Sequence, residues 1–151
     1  MRERLSLLAA ALWFGSLTTI GFLVVPLLFK HMPSAPMAGA MAAKLFAAQT
    51  WVSLGLGLLL LAISRPKEPD ASMDRSSFAI GLIAAGMLAA LLVEFAVAPR
   101  IVSARASGGD LRLWHGVGSA LFVAQWGCAL ALLWHQSTHQ ATHQSAHQHL
   151  R

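Results

Sequence analysis

Charge is scarce in this sequence. Asp, Glu, Lys and Arg make up 11% of its 151 residues, against about 25% in soluble globular domains. That shortfall excludes a fold wetted on all sides and points to a chain whose main solvent is lipid. Cysteine is nearly missing too: Cys128 stands alone, so no intrachain disulfide can form, and its place inside an apolar run reads as a small packing residue. There is no glycine-rich phosphate loop, no CxxC, no H-E-x-x-H and no G-x-S-x-G. Without these short catalytic patterns the reading leans away from an enzyme. What is present is apolar: 56% of the residues are hydrophobic. The net charge of +5 does not imply nucleic acid, because the basic residues sit at the ends of apolar runs, where Lys and Arg meet lipid headgroups.

A membrane helix needs about 20 mainly apolar residues to cross about 30 Å of hydrocarbon. Four runs qualify, and they predict an all-α, polytopic four-helix bundle: Leu5 to Phe29, Ala38 to Ser64, Phe78 to Ala98 with an extension to Val102, and Leu111 to Trp134. Short connections make consecutive helices antiparallel neighbours. The first run follows Arg2 and Arg4 but continues through Val24 and Val25, longer than the apolar core of a signal peptide, and is expected to stay uncleaved. Trp114 and Trp134 bracket the fourth run at a separation of roughly 30 Å. They are expected to mark the two membrane faces, with Trp13, Trp51 and Trp126 packed deeper. The segment from Arg65 to Ser77, with two prolines and mixed charges, is the longest expected loop.

The domain reading is a transmembrane unit over residues 1–134 and a His/Gln-rich flexible tail over 135–151. With four spans both termini share a side. Lys and Arg divide six against five between the two sides, a weak basis for orientation. Arg2 and Arg4 favour cytoplasmic termini, and the setting expected is a bacterial inner membrane.

The two halves resemble each other. Phe46-Ala47-Ala48-Gln49-Thr50-Trp51 matches Phe122-Val123-Ala124-Gln125-Trp126, and Val25-Pro26 matches Ala98-Pro99. Two helices per repeat preserve direction, so tandem repeats would be related by an axis along the membrane normal. Chance similarity in an apolar alphabet is the competing account. Small residues form stripes at Gly81, Ala85 and Ala89, and at Gly116, Ala120 and Ala124. Such stripes suit close helix packing, within one bundle or between copies in a homo-oligomer.

Ionisable groups inside a membrane are functional candidates by default. Three fall within or near the apolar runs: Glu94, His115 and Lys44. All three are expected toward the same membrane face, with Gln49 and Gln125 deeper and Thr18 and Thr19 able to add hydroxyls. Together Glu94, His115, Lys44, Gln49 and Gln125 are the candidate pocket. A Glu and a His can share a proton or bind a metal, a His can ligate haem or copper, and a Lys can hold a ligand carboxylate. Against this stands a purely structural role, in which Glu94 pairs with Lys44 or His115 and Lys44 reaches the headgroups. The tail places His135, His139, His143 and His147 at four-residue spacing, followed by His149. Histidines at i and i+4 share a helix face and can chelate a divalent cation, although the composition alone also reads as a solvated low-complexity tail.

Leu12-Trp13-Phe14-Gly15-Ser16, the Phe22–Pro26 helix end, Ala38-Gly39 with Leu45-Phe46, and Leu113-Trp114-His115-Gly116-Val117-Gly118-Ser119 together resemble the domain of unknown function 4149 family, which includes transmembrane-protein-205-like proteins. The resemblance covers most of residues 5–134, and its sharpest part is the His-Gly-x-x-Ser at His115. It implies a four-helix membrane protein with no established activity. It is also distantly similar to copper resistance protein D and to membrane-type protoporphyrinogen oxidases, which implies His115 as a haem or copper ligand. The functions carried forward are a small membrane protein that moves or senses a metal or small solute through a polar pocket, a haem- or copper-binding redox protein, and a scaffold subunit with a membrane-complex partner.

Overall fold

The computed structural model describes residues 1–64 and 73–148, and side chains within 1–64 and 77–138. The described residues form helices joined by short turns, with no strand. The first helix is Arg2–His31, the second Ala35–Ile63, the third spans Ser77–Ser107 after an additional turn from Met73, and the fourth is Leu111–Gln148. All four are long and apolar enough to cross a bilayer, with spans of 28 to 31 residues. These correspond to roughly 42–46 Å, so their ends reach into the headgroup layer or the helices tilt.

Three boundaries differ from the sequence reading. The third helix begins at Met73, within the segment expected as loop; residues 65–72 of that segment lie outside the described residues. The first helix runs past Phe29, where the first apolar run ends, to His31. The fourth helix shows no break at residue 134 and continues to Gln148. It carries the positions of His135, His139, His143 and His147, while the side chains from 139 onward and all of His149 lie outside the described residues.

Local chemistry explains the helix ends. The Ser34 hydroxyl accepts from the Met37 N–H at 3.4 Å, and Asp110 Oδ1 accepts from the Leu113 N–H at 2.9 Å; each caps a helix N-terminus. Gly108, with φ of 74°, closes the third helix in the left-handed region that a side chain would disfavour.

The first helix packs on the second and fourth, and so does the third. This leaves the first and third, and the second and fourth, diagonally opposed. The two halves are built alike. Each odd helix contains a π-helical turn, Thr19–Val24 in one and Leu92–Val97 in the other. In each, an N–H reaches back five residues, Val25 to Ile20 and Ala98 to Val93. The cause follows one residue later: Pro26 and Pro99 lack an N–H and crowd the carbonyl four residues back, and a wider turn relieves both problems.

The core combines many small residues with a few large ones, Trp13, Leu17, Leu60, Ile83 and Leu132. Leu8, Leu12, Phe22, Leu58, Leu88, Phe95 and Val123 point outward, whereas Ala9, Ala10, Ala38, Ala42, Ala90, Ala104 and Ala129 are buried. Apolar groups gain little by leaving lipid, so the interior is chosen for close fit. Trp13 is fully buried and lies across the bundle against Gly86, its counterpart in the second half. A Cβ on Gly86 would stand 2.9 Å from the indole. Gly86→Val is therefore expected to cost about 1–3 kcal/mol by overpacking, read as a lower unfolding midpoint in detergent; an unchanged midpoint would contradict this contact. Trp51, expected among the packing residues, is instead 64% exposed and faces outward on the second helix. Its depth was readable from its place in the run, but its facing was not.

Candidate functional site

Depth along the bundle can be fixed from one contact. The Arg100 guanidinium lies 4.5 Å from the centroid of the Trp114 ring, a cation–π pair suited to the membrane interface. About 16 Å further along the fourth helix comes Gln125, close to midway between Trp114 and Trp134. Gln49 holds the matching place in the second helix.

Both amides are buried at 3% exposure, and they meet at one hydroxyl. Gln49 Nε2 donates to Ser53 Oγ at 3.3 Å and to Ser16 Oγ at 3.0 Å, and Gln125 Nε2 donates to Ser53 Oγ at 2.8 Å. Ser16 Oγ in turn donates to the Trp13 carbonyl at 2.9 Å. This chain links the first, second and fourth helices near the middle of the span. A second link runs beside it: Trp126 Nε1 donates to Thr18 Oγ1 at 2.9 Å, and Thr18 Oγ1 donates to the Phe14 carbonyl at 2.8 Å. Thr50, also buried, donates to the Phe46 carbonyl at 3.1 Å. Trp13 Nε1 is buried and finds no acceptor among the described residues. A buried donor left unpaired is uncommon and adds to the polar character of the centre.

Aromatic rings surround these groups. Phe46 and Phe122, counterparts in the two halves, meet edge-on at 5.2 Å and 71°. Phe14 and Phe22 each lie 5.5 Å from the Trp126 ring. Gly21, inside the first π-helical turn, touches the Phe122 ring so closely that any Cβ there would collide with it.

The five residues expected to form a pocket separate into two pairs and a lone Glu94. Gln49 and Gln125 are joined through Ser53. Lys44 and His115 are exposed on the outer surface of the bundle. Glu94 is half-buried in the second π-helical turn, and among the described residues it has no hydrogen bond or ion pair with Lys44, His115 or any other side chain. Thr18 contributes a hydroxyl as expected, whereas Thr19 is exposed.

Ser53 and Ser16 were missed by the sequence reading. For Ser53 the signal was available: it lies one turn beyond Gln49, on the same helix face. Ser16 sits on another helix, and nothing local announces its partner.

Among the described residues no three His, Cys, Asp or Glu side chains group as a metal site would require. His115 faces outward with no such group beside it, an arrangement that does not fit a haem or copper enclosed by the bundle. An open groove of about 480 Å³ on the outer face of the fourth helix is lined by Asp110, Arg112, Leu113, Gly116, Val117 and Ala120, and none of the five expected pocket residues contributes to it.

An uncharacterised protein of Aquifex aeolicus (strain VF5) is 31% identical to this chain over 125 residues, covering 82% of this chain and 88% of that protein. No solved structure matches it. The family model described as a domain of unknown function, DUF4149, matches residues 8–110. With four membrane-spanning helices and a match over most of its length, this integral membrane protein belongs to the DUF4149 family.

Proposed function

We propose that the protein binds a small polar solute near the bilayer midplane, between its two halves, and moves it across the membrane or senses it. The observation that carries this reading is the convergence of two equivalent amides, Gln49 and Gln125, on Ser53, together with π-helical turns at matched places in the first and third helices. Interruptions at corresponding positions of two repeats are a pointer to a transport site, because they supply free backbone and polar groups where lipid supplies none. π-Helical turns are often found at functional sites. Glu94, Gln49, Gln125 and Ser53 are the residues proposed to face the solute. Lys44 and His115, which point outward, are assigned to contacts with lipid or with a neighbouring protein.

The membrane proposed is a bacterial inner membrane with both termini cytoplasmic. Reporter fusions at the two termini and in the turn around Ser34 check this: activity of a cytoplasmic reporter at Ser34 but at neither terminus would reverse the orientation.

Uptake into proteoliposomes tests the function. With a panel of small isotopically labelled solutes, at least one is expected to enter faster than into empty vesicles. Gln125→Leu is expected to lower that rate at least tenfold, while Leu58→Ala on the lipid face leaves it unchanged. Uptake equal to empty vesicles for every solute, with no binding in detergent, would remove the reading and favour a scaffold role.

A further inference from the structure

We infer that the solute carries positive charge and that Glu94 holds it, an inference that rests on the midplane site proposed above. It starts from a difference between two halves that otherwise agree. Counting back from Pro26 and Pro99, Gly21 and Glu94 occupy the same place in the two π-helical turns. Gly21 lies against Phe122 of the fourth helix. The equivalent ring is Phe46 of the second helix, and the second π-helical turn packs on both the second and the fourth helices. Glu94, half-buried, follows buried Ile83 and Ala90 along the third helix, just as Gly21 follows buried Ala10 and Leu17. Where one half leaves no room even for a methyl group, the other carries a carboxylate.

That carboxylate is the only charged side chain placed on the inner flank of the described helices near this depth. Its Cα lies six residues before Arg100, roughly 9 Å inside the interface level set by Arg100 and Trp114. No described cation neutralises it, since Lys44 and His115 are exposed on the outer surface. A carboxylate at such depth is costly unless something compensates its charge. The surrounding groups suit a cation better than an anion. The Gln49 and Gln125 amide nitrogens donate to serine hydroxyls, Gln49 with two bonds and Gln125 with one, and the carbonyl oxygens of both remain to accept. The rings of Phe46 and Phe122 add negative π faces. One carboxylate, two amide oxygens and aromatic faces make a set that recognises a small organic cation bearing N–H donors, such as an alkylammonium or guanidinium group.

Three planar probes of nearly equal size separate charge from shape: guanidinium, urea and nitrate. Each is added to the purified full-length protein while tryptophan fluorescence is followed, and each is tested for uptake in proteoliposomes. Guanidinium is expected to bind and enter at least tenfold better than urea, and nitrate not at all. Glu94→Gln is expected to remove the preference for guanidinium over urea, and Glu94→Asp to keep part of it. An unchanged melting temperature and a monodisperse elution profile identify folded variants; should Glu94→Gln fail them, Glu94→Asp and the wild-type probe comparison still decide. Equal handling of guanidinium and urea, preference for nitrate, or full guanidinium preference in folded Glu94→Gln would overturn the assignment of charge. Loss of all uptake in Gln125→Leu alongside such a result would leave the midplane site standing. No response of the wild-type protein to any of the three probes would overturn the cation assignment, and the wider solute panel then decides the fate of the site itself.

Discussion

Trp13→Ala is expected to lower the unfolding free energy of the purified protein by about 3–5 kcal/mol, the range for removing a fully enclosed large side chain. Trp13 has no exposed surface, and its ring fills the space left by Gly86, where Cys128 also approaches. Little of this loss is a transfer term, because the alternative solvent is as apolar as the core. It comes instead from dispersion contacts forfeited around a void that neighbouring helices cannot close. The pairing can be tested by restoring volume from the other side: in the Trp13→Ala background, Gly86→Leu should recover part of the stability, although Gly86 substitutions destabilise the wild type. Such a sign reversal is the signature of two residues sharing one space. Denaturation in mixed micelles measures both effects. A Trp13→Ala loss under about 1 kcal/mol, below the range for a filled core site, would mean that the helices do not meet around this ring.

Ser53→Ala is expected to give the second largest loss for so small a change. It deletes one oxygen but takes the acceptor from two buried amide N–H groups, leaving Gln125 with none and Gln49 with the Ser16 hydroxyl alone. Each orphaned buried group costs about 1–3 kcal/mol in soluble proteins. Hydrogen bonds inside membrane proteins average nearer 0.6 kcal/mol, so the loss should fall between these scales. The comparison that isolates the cause is the double variant Gln49→Leu with Gln125→Leu. It removes the amides themselves, so neither is left as an unpaired donor, and it should be more stable than Ser53→Ala. The opposite order, measured under the same denaturing conditions, would show that the hydroxyl does not bridge the two amides.

The candidate site was partly readable in the chain. Gln49 and Gln125 stand out because polar groups are rare at that depth, and the shared Phe-x-Ala-Gln segment marks them as counterparts. The matched prolines foretold similar helix ends, but not the π-helical turns before them. Lys44 and His115 were grouped with Glu94 by depth alone. The structure turns both outward, and depth carries no information about azimuth. Trp51 fell to the same ambiguity. In a soluble helix the apolar stripe reveals the inward face. Here leucines lie both on the lipid side and in the core, where Leu17, Leu60 and Leu132 are buried beside alanine, serine and glutamine, so hydropathy gives no inward stripe to read.

By itself the sequence determined that four segments enter lipid, that they alternate in direction, and that the two halves share a pattern. Each of these is a local sum: partition into a bilayer adds up residue by residue along a run and needs no knowledge of neighbours. Only the tertiary structure decided that Trp13 lies against Gly86, that two amides from different halves share Ser53, and that Gly21 lies against Phe122. Those outcomes depend on shape complementarity between helices far apart in the chain, and lipid, being as apolar as the core, gives the sequence no solvent contrast with which to record them.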